Sequence, residues 1–435
     1  MRKIIPFYLF LVPMSLLATG FEELYVSALQ NNAEYQTAQY ELSIQIEQGN
    51  QASLAYMPNL ALTGTKNYNN SDVVYSQNTP SYQDGSRTYT NHSLMLKLSQ
   101  PLFRLRNYYS LVESPYYKLS GEIALENVRQ TLIYELIKAY LNVLLAEKVE
   151  ILARVKYDST GILAKELEKR FKLHEATKTD LHTIRAKLSV SKADEATASY
   201  SYQIAKEALI RISQIETSKV DEVKWVSYAV PSEEILWWKE YAKHNNLDVK
   251  MSKSIQAVNE IRLKSAWGAH APTVDLIGSY GKSYSSSDVN GIGADSKLSS
   301  IGLQVNIPIF EGGNTQSKVR EASAVYNKAL SETNKYSRLA QMDSANAYLQ
   351  LTGSLERYNS LKDASVSSYE TIDATKVGLK AGSKTTRDVS DAQEQYYNTQ
   401  KEMYAAQYDY ILNYITLYRI SGTLTKTALS QLGII

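Results

Sequence analysis

The sequence predicts a mainly α-helical chain with a smaller β part: long antiparallel coiled-coil hairpins and four strands of membrane-crossing length. Three observations predict this. No proline interrupts residues 116–230 or 309–435, and both stretches are rich in Ala, Leu, Glu, Lys, Gln and Ser, which favour long helices. Ile301, Leu303, Val305, Ile307 and Ile309 alternate with Gly302, Gln304, Asn306 and Pro308, a period of two that makes one apolar and one polar face. Finally, the chain repeats itself. Asn31-Asn32-Ala33-Glu34 matches Asn245-Asn246-Leu247-Asp248, Pro58-Asn59-Leu60 matches Pro272-Thr273-Val274, and Gln100-Pro101-Leu102-Phe103 matches Ile307-Pro308-Ile309-Phe310. Ala139-Tyr140-Leu141 then matches Ala347-Tyr348-Leu349, and Arg211-Ile212-Ser213 matches Arg419-Ile420-Ser421. Ordered matches at near-constant spacing mark a tandem duplication of roughly 210 residues, too long for a solenoid repeat and therefore two equivalent halves.

At the N-terminus, Arg2 and Lys3 precede an apolar run over residues 4–17, and Ala18-Thr19-Gly20 supplies small residues for cleavage. This reads as a secretory signal peptide over 1–20, too short for a membrane helix of ~20 apolar residues. Each half then opens on a helix, about 21–56 and 232–270, whose start the paired asparagines break. Pro58 and Pro272 begin the first strand of each pair. Segments 67–90 and 282–297, rich in Ser, Asn, Asp, Gly and Tyr, read as exposed loops. Leu94, Leu96 and Leu98 mark the return strand of the first half, and the Ile301 series that of the second.

Two long helices close each half, and about 60 helical residues reach ~90 Å, beyond a globular domain. Ile133, Ile137, Tyr140, Leu141, Leu144 and Leu145 form an apolar stripe, as do Leu339, Met342, Ala345, Tyr348, Leu349 and Leu351; ordinary helix packing explains such stripes. Ala193, Ala196, Ala198, Ala405 and Ala406 permit close coiled-coil approach. The expected division is a signal peptide at 1–20, a first repeat at 21–220, a linker at 221–245, a second repeat at 246–425 and a tail at 426–435.

Composition excludes several classes. With no cysteine there are no disulfides, thiolate metal sites or cysteine nucleophiles. The formal charge of +2 falls to zero once Arg2 and Lys3 leave with the signal, which argues against a nucleic-acid partner. The 34 tyrosines, against 6 Phe and 4 Trp, either suit surfaces half wet and half greasy or are compositional drift. No later run of 18 apolar residues follows, so a membrane crossing requires a closed barrel. Four strands cannot close one, since ~8 or more are needed, so strands must pair between chains.

At this point the sequence resembles the TolC-like outer-membrane factor family, over nearly the whole chain. The resemblance is carried by Ala269-His270-Ala271-Pro272-Thr273-Val274-Asp275-Leu276, Pro308-Ile309-Phe310-Glu311-Gly312-Gly313, Val377-Gly378-Leu379-Lys380-Ala381-Gly382 and Asp388-Val389-Ser390-Asp391-Ala392. It implies a homotrimer with a 12-stranded barrel and an α-helical tunnel. The implied function is an outer-membrane channel of a tripartite efflux or type I secretion system, reaching into the periplasm. The implied partners are a periplasmic adaptor, an inner-membrane transporter and outer-membrane lipid. Neither enzyme activity nor a cofactor is implied.

The resemblance also assigns a periplasmic gate to Asp388, Asp391, Asp180, Thr179 and Lys384. Asp388 and Asp391 lie three apart, so both can share one helix face, and a ring of them would attract cations. Read from the residues alone, two acids near a helix start equally suit its positive end. Adaptor docking is assigned to the hairpin tips, at Arg170, Phe171, Val377, Gly378, Leu379 and Gly382, with Gly378 and Gly382 allowing a tight turn. Two residues depart from the family pattern. His174 stands where a glycine is usual, and Leu379 where some members carry a gate tyrosine.

Other motifs fail. Gly378 to Thr385 resembles a phosphate-binding loop, but Ser383 replaces the second glycine and no strand precedes it. His174 and His182 lack a matching acid–histidine set for a metal. Trp237 and Trp238 read as linker packing. The rival from another class is a non-conducting coiled-coil surface or scaffold protein, which leaves the alternating strands unexplained.

Overall fold

The computed structural model describes residues 20–76, 84–216, 220–222, 230–287 and 292–424; the expected signal peptide, apart from Gly20, and the expected tail at 426–435 lie outside the described residues. In chain order the elements are α1 (Phe21–Asn31), α2 (Ala33–Ser53), a 3-10 turn (Leu54–Tyr56), β1 (Asn59–Val73), β2 (Gly85–Phe103), α3 (Leu105–Lys172) and α4 (Lys178–Ser213). The order then recurs as α5 (Ile235–Asn245), α6 (Leu247–Gly268), β3 (Thr273–Ser285), β4 (Ala294–Asn306), α7 (Asn314–Lys380) and α8 (Thr386–Ile420). Asparagines cause the break inside each opening helix. Asn32 Oδ1 accepts from the N–H groups of Glu34 and Tyr35 at 3.0 and 3.1 Å, and Asn246 Oδ1 from those of Asp248 and Val249 at 2.9 and 3.2 Å.

Three expectations need correcting. Helix α3 starts at Leu105 and contains Pro115, although the proline map put the helix after it. One proline removes a single hydrogen bond, at about 3 kcal/mol, from a helix of 68 residues. The strands reach into segments 67–90 and 282–297, expected as loops, from both ends: 67–73, 85–90, 282–285 and 294–297 are strand. Their polar residues sit on both faces, which hides the alternation, and polar side chains pair across the ladder: Ser283 with Ser296 at 2.7 Å, and the Ser86 and Thr88 hydroxyls with Asn70 Oδ1 at 3.3 and 3.4 Å. Conversely, β4 stops at Asn306, because Pro308 has no N–H for a ladder. Ile307 and Ile309 lie beyond it, and Gly312 and Gly313, at φ 62° and 84°, turn the chain left-handed into α7.

The chain divides into two compact units. The first comprises Glu41–Glu122 and Met251–Asn334 and carries the sheet. All neighbours are antiparallel in the order β1-β2-β3-β4, and β2–β3 pairing joins the two halves. Register separates the faces. Leu60 pairs with Leu98, Leu98 with Gly278 and Gly278 with Ile301; the next row is Leu62, Leu96, Tyr280 and Ser299. The opposite face carries rows such as Ala61, Lys97, Ser279 and Ser300. Leu60, Leu62, Ile301 and Leu303 are 63 to 76% exposed, so among the described residues nothing covers these side chains of the apolar face. At the strand–helix junction, Arg104 forks onto buried Asp275 at 2.8 and 2.7 Å.

The second unit comprises Met1–Tyr40, Ile123–Lys250 and Lys335–Ile435. Its core gathers Leu24 of α1, Ile133, Ile137 and Leu144 of α3, Leu209 of α4, Leu351 of α7, and Ile411 and Ile415 of α8. The α3 stripe packs as expected; the α7 stripe is displaced. Ala340, Ser344, Ala347 and Leu351 are buried, while Met342 and Leu349 are 52% and 58% exposed. Small Ala and Ser side chains at three of the four positions let neighbouring helices approach closely, so the packed face is not the most hydrophobic one. Trp238 is buried edge-on to Tyr418, while Trp237 stacks on Tyr241. Several tyrosines are core residues: Tyr140 is buried and its hydroxyl donates to the Asp221 carbonyl at 2.5 Å. Burial pushes its phenol well above the ordinary tyrosine range.

Candidate functional site

Each long helix pair of the second unit turns at a tip, and the two tips are built alike. Helix α3 ends in a pair of backbone bonds, His174 N–H to Phe171 O at 3.0 Å and Glu175 N–H to Arg170 O at 2.8 Å. Helix α7 ends the same way, with Gly382 N–H to Leu379 O at 3.2 Å and Ser383 N–H to Gly378 O at 2.9 Å. The pattern is a left-handed helix cap, and its left-handed residue is His174 (φ 64°) in one tip and Gly382 (φ 77°) in the other. Of the two glycines expected to make the second turn, only Gly382 supplies the turn conformation. Gly378 remains helical and serves by lacking a side chain, since a Cβ there would lie 2.7 Å from Lys384 Cγ.

The next helix of each pair starts with a capping box. The Thr177 hydroxyl accepts from Asp180 N–H at 3.1 Å, and Asp180 Oδ2 accepts from Thr177 N–H at 3.3 Å and from its hydroxyl at 2.6 Å. Thr385 and Asp388 reproduce this at 3.2, 2.7 and 2.9 Å. The Thr385 N–H and hydroxyl hold the Asp388 carboxyl below the usual carboxylate range, with smaller help from Lys384 and Arg387. Asp391 is tied elsewhere: Lys187 of α4 bridges to Asp391 and, at 3.4 Å, to Glu394, while Arg387 lies 3.8 Å from Asp391. Within one chain, then, the two aspartates do not converge on each other. Both sequence-level readings of Asp388 remain compatible, since a capped, ionised carboxylate can also face an axis.

Arg170, Asp180, Leu379, Gly382 and Lys384 line one cleft of about 260 Å³ between the tips. Thr179, Phe171, Val377, Asp388 and Asp391 lie outside its wall. Thr179 is exposed in the first turn of α4, Phe171 is half-buried, and Val377 is 67% exposed. Beneath the cleft is a small apolar core that sequence reasoning missed: Leu163, Ala164, Leu167, Ile184 and fully buried Val389, with Leu379 packed against it. Leu379 thus contributes packing to this core. Lys187 was missed too, although it lies seven residues after Asp180 on the same helical face.

The Outer membrane efflux protein family matches residues 24–213 and 239–423, which includes both tips and all four strands. The chain belongs to the outer membrane efflux protein family. It is similar to outer membrane protein TolC of Escherichia coli strain K12, 26% identical with 100% of this chain and 89% of the relative covered. It is also similar to the proteases secretion protein PrtF of Dickeya chrysanthemi, 23% identical with 96% and 91% covered. The CmeC outer membrane channel of Campylobacter jejuni superposes with a TM-score of 0.80 at 16% identity, covering 93% of this chain and 86% of that one. The mainly α chain with a four-stranded antiparallel sheet is therefore the fold of an outer-membrane channel, and the chain is an outer-membrane protein.

The two tips of this efflux-family chain make a matched pair for measurement. A non-glycine residue in the left-handed region costs about 1 to 2 kcal/mol. His174→Gly should therefore slow amide hydrogen exchange over residues 165–185 severalfold, and Gly382→Ala should speed it over 375–392 by a similar factor.

Proposed function

We propose that three copies form a passive, gated outer-membrane channel of a tripartite efflux or type I secretion system. An inner-membrane transporter supplies the energy and engages the channel through a periplasmic adaptor. The observation that carries this reading is the sheet: β1 and β4 are open edges, and one face is apolar and uncovered. In lipid, open edges and a wet polar face are satisfied only by closure into a barrel, and three chains supply twelve strands. Further surfaces call for neighbours. Val190, Tyr200 and Ile204 of α4 are 59 to 72% exposed and, with Ala193 and Thr197, keep a three–four spacing that fits a coiled-coil seam. Ile309 and Phe310 are 93% and 84% exposed.

In this reading the tips are the periplasmic gate and adaptor platform. Asp180, Thr179, Lys384, Asp388 and Asp391 belong to the constriction; Arg170, Phe171, Val377, Gly378, Leu379 and Gly382 belong to the docking face. The test is block of purified channel in a planar bilayer by multivalent cations. Asp388→Asn with Asp391→Asn should raise the blocking concentration at least about tenfold, as expected when an acidic ring is lost. The depressed Asp388 pKa shapes the pH dependence: its charge persists as pH falls into the ordinary carboxylate range, so the Asp388 share of the block should persist from about pH 8 down to about pH 4. Unchanged block in the double variant would overturn the gate assignment.

A further inference from the structure

The apolar face of the sheet ends in a basic row that the channel reading leaves unused. Lys282 of β3 lies directly opposite Lys297 of β4, and Leu94 of β2 is the next residue in that row. One row further along, Lys66 lies opposite His92, His92 opposite Tyr284, and Tyr284 opposite Asp295. Both rows share the face of Leu60, Leu62, Leu96 and Leu98, since they are separated from these by even steps along each strand. Lys66, His92, Lys282 and Lys297 are all exposed. Like charges placed directly opposite on one face are destabilising unless something neutralises them. The carboxylate in the neighbouring row, Asp295, stands opposite Tyr284 rather than opposite a lysine.

A groove of about 660 Å³ runs along this face between Leu62, Leu96 and Tyr280 and ends against His92, Lys282 and Asp295. It is greasy along its length, and Lys297 stands directly opposite Lys282 beside its polar end, so two lysines face one carboxylate, Asp295, there; this is the pattern of an acyl chain joined to an anionic headgroup. Depth agrees. From Val305 to Lys297 the strand rises roughly 20 Å at the usual barrel tilt, so the lysines sit near the upper margin of the ~25 Å apolar band. The strands connect to the 3-10 turn, α3, α6 and α7 at the Val305 end and turn back at the lysine end. With the helices in the periplasm, the lysine row meets the outer leaflet; this step rests on the channel reading above.

We propose that this face is a binding site for a phosphorylated lipid of the outer leaflet, with an acyl chain in the groove and a phosphate between Lys282 and Lys297. The phosphate would neutralise the facing lysines and pin the barrel at a fixed depth.

The test is native mass spectrometry of the full-length assembly in detergent. The probes are bisphosphorylated lipid A and the same lipid with its phosphates removed, with conductance recorded on the same preparation. Wild-type protein should retain the phosphorylated lipid on the order of tenfold better, a preference that Lys282→Gln with Lys297→Gln removes while assembly and conductance stay unchanged. Millimolar inorganic phosphate should not displace the lipid. Equal retention of both lipids, a preference that survives in the double variant, or displacement by free phosphate would overturn the site. A preparation that neither assembles nor conducts would overturn the channel reading itself, and the two failures are therefore distinguishable.

Discussion

Arginine in place of both Ile301 and Leu303 should abolish the membrane-inserted assembly. The two side chains are 76% and 66% exposed and lie in adjacent rows of the apolar face, with Ile301 midway between Val305 and Lys297. An arginine on the lipid face near the bilayer midplane costs about 2 to 4 kcal/mol, and every copy in the assembly carries both. The sum exceeds what snorkelling to the interface can recover, so heat-resistant oligomer in detergent and channel activity should both be lost. Ser300→Arg is the matched control. Ser300 lies one residue away on the same strand but on the polar face, where it pairs with Ser279. That face lines water in a barrel, so Ser300→Arg should assemble and alter only conductance or ion selectivity. Normal assembly of the Ile301 and Leu303 variant would show that this face does not meet lipid.

Most of the architecture was readable because it rests on local rules. Asn32 and Asn246 cap helices through their own side chains, so the paired asparagines expose the break; Thr177 and Thr385 cap α4 and α8 in the same local way but were not read from the sequence. Leu94, Leu96 and Leu98, and Ile301 with Leu303, reveal strands because one of their faces must be greasy. What stayed hidden depends on partners distant in sequence. The strand extensions past Asn67 and Lys282 carry polar cross-strand pairs such as Ser283 with Ser296 and Thr88 with Asn70, which leave no hydrophobic period. The α7 face is packed through Ala340, Ser344 and Ala347, whose smallness matters only beside another helix. At the tips, Asp388 was visible as an acid near a helix start, but Lys187 became relevant only once α4 lay beside α8.

Val389→Asp should separate the two hairpins at their tips. Val389 is fully buried among Leu163, Ala164 and Leu167 of α3 and Ile184 of α4, so it ties α8 to the other hairpin. An aspartate there would be a buried carboxylate with no partner, at a cost of several kcal/mol. Val389→Ala should cost only about 2 kcal/mol through a small cavity. The competing lock is electrostatic. Lys187 bridges to Asp391 and Glu394, but those carboxylates are 54% and 48% exposed, and such pairs contribute about 0 to 1 kcal/mol in water. Packing therefore dominates, and Lys187→Ala should change little. In a planar bilayer, Val389→Asp should raise resting conductance severalfold and deprotect amides over residues 160–190 and 377–395, with Val389→Ala intermediate and Lys187→Ala near wild type. The reverse ranking, with Lys187→Ala the leakier channel, would mean that charge rather than packing holds the tips together.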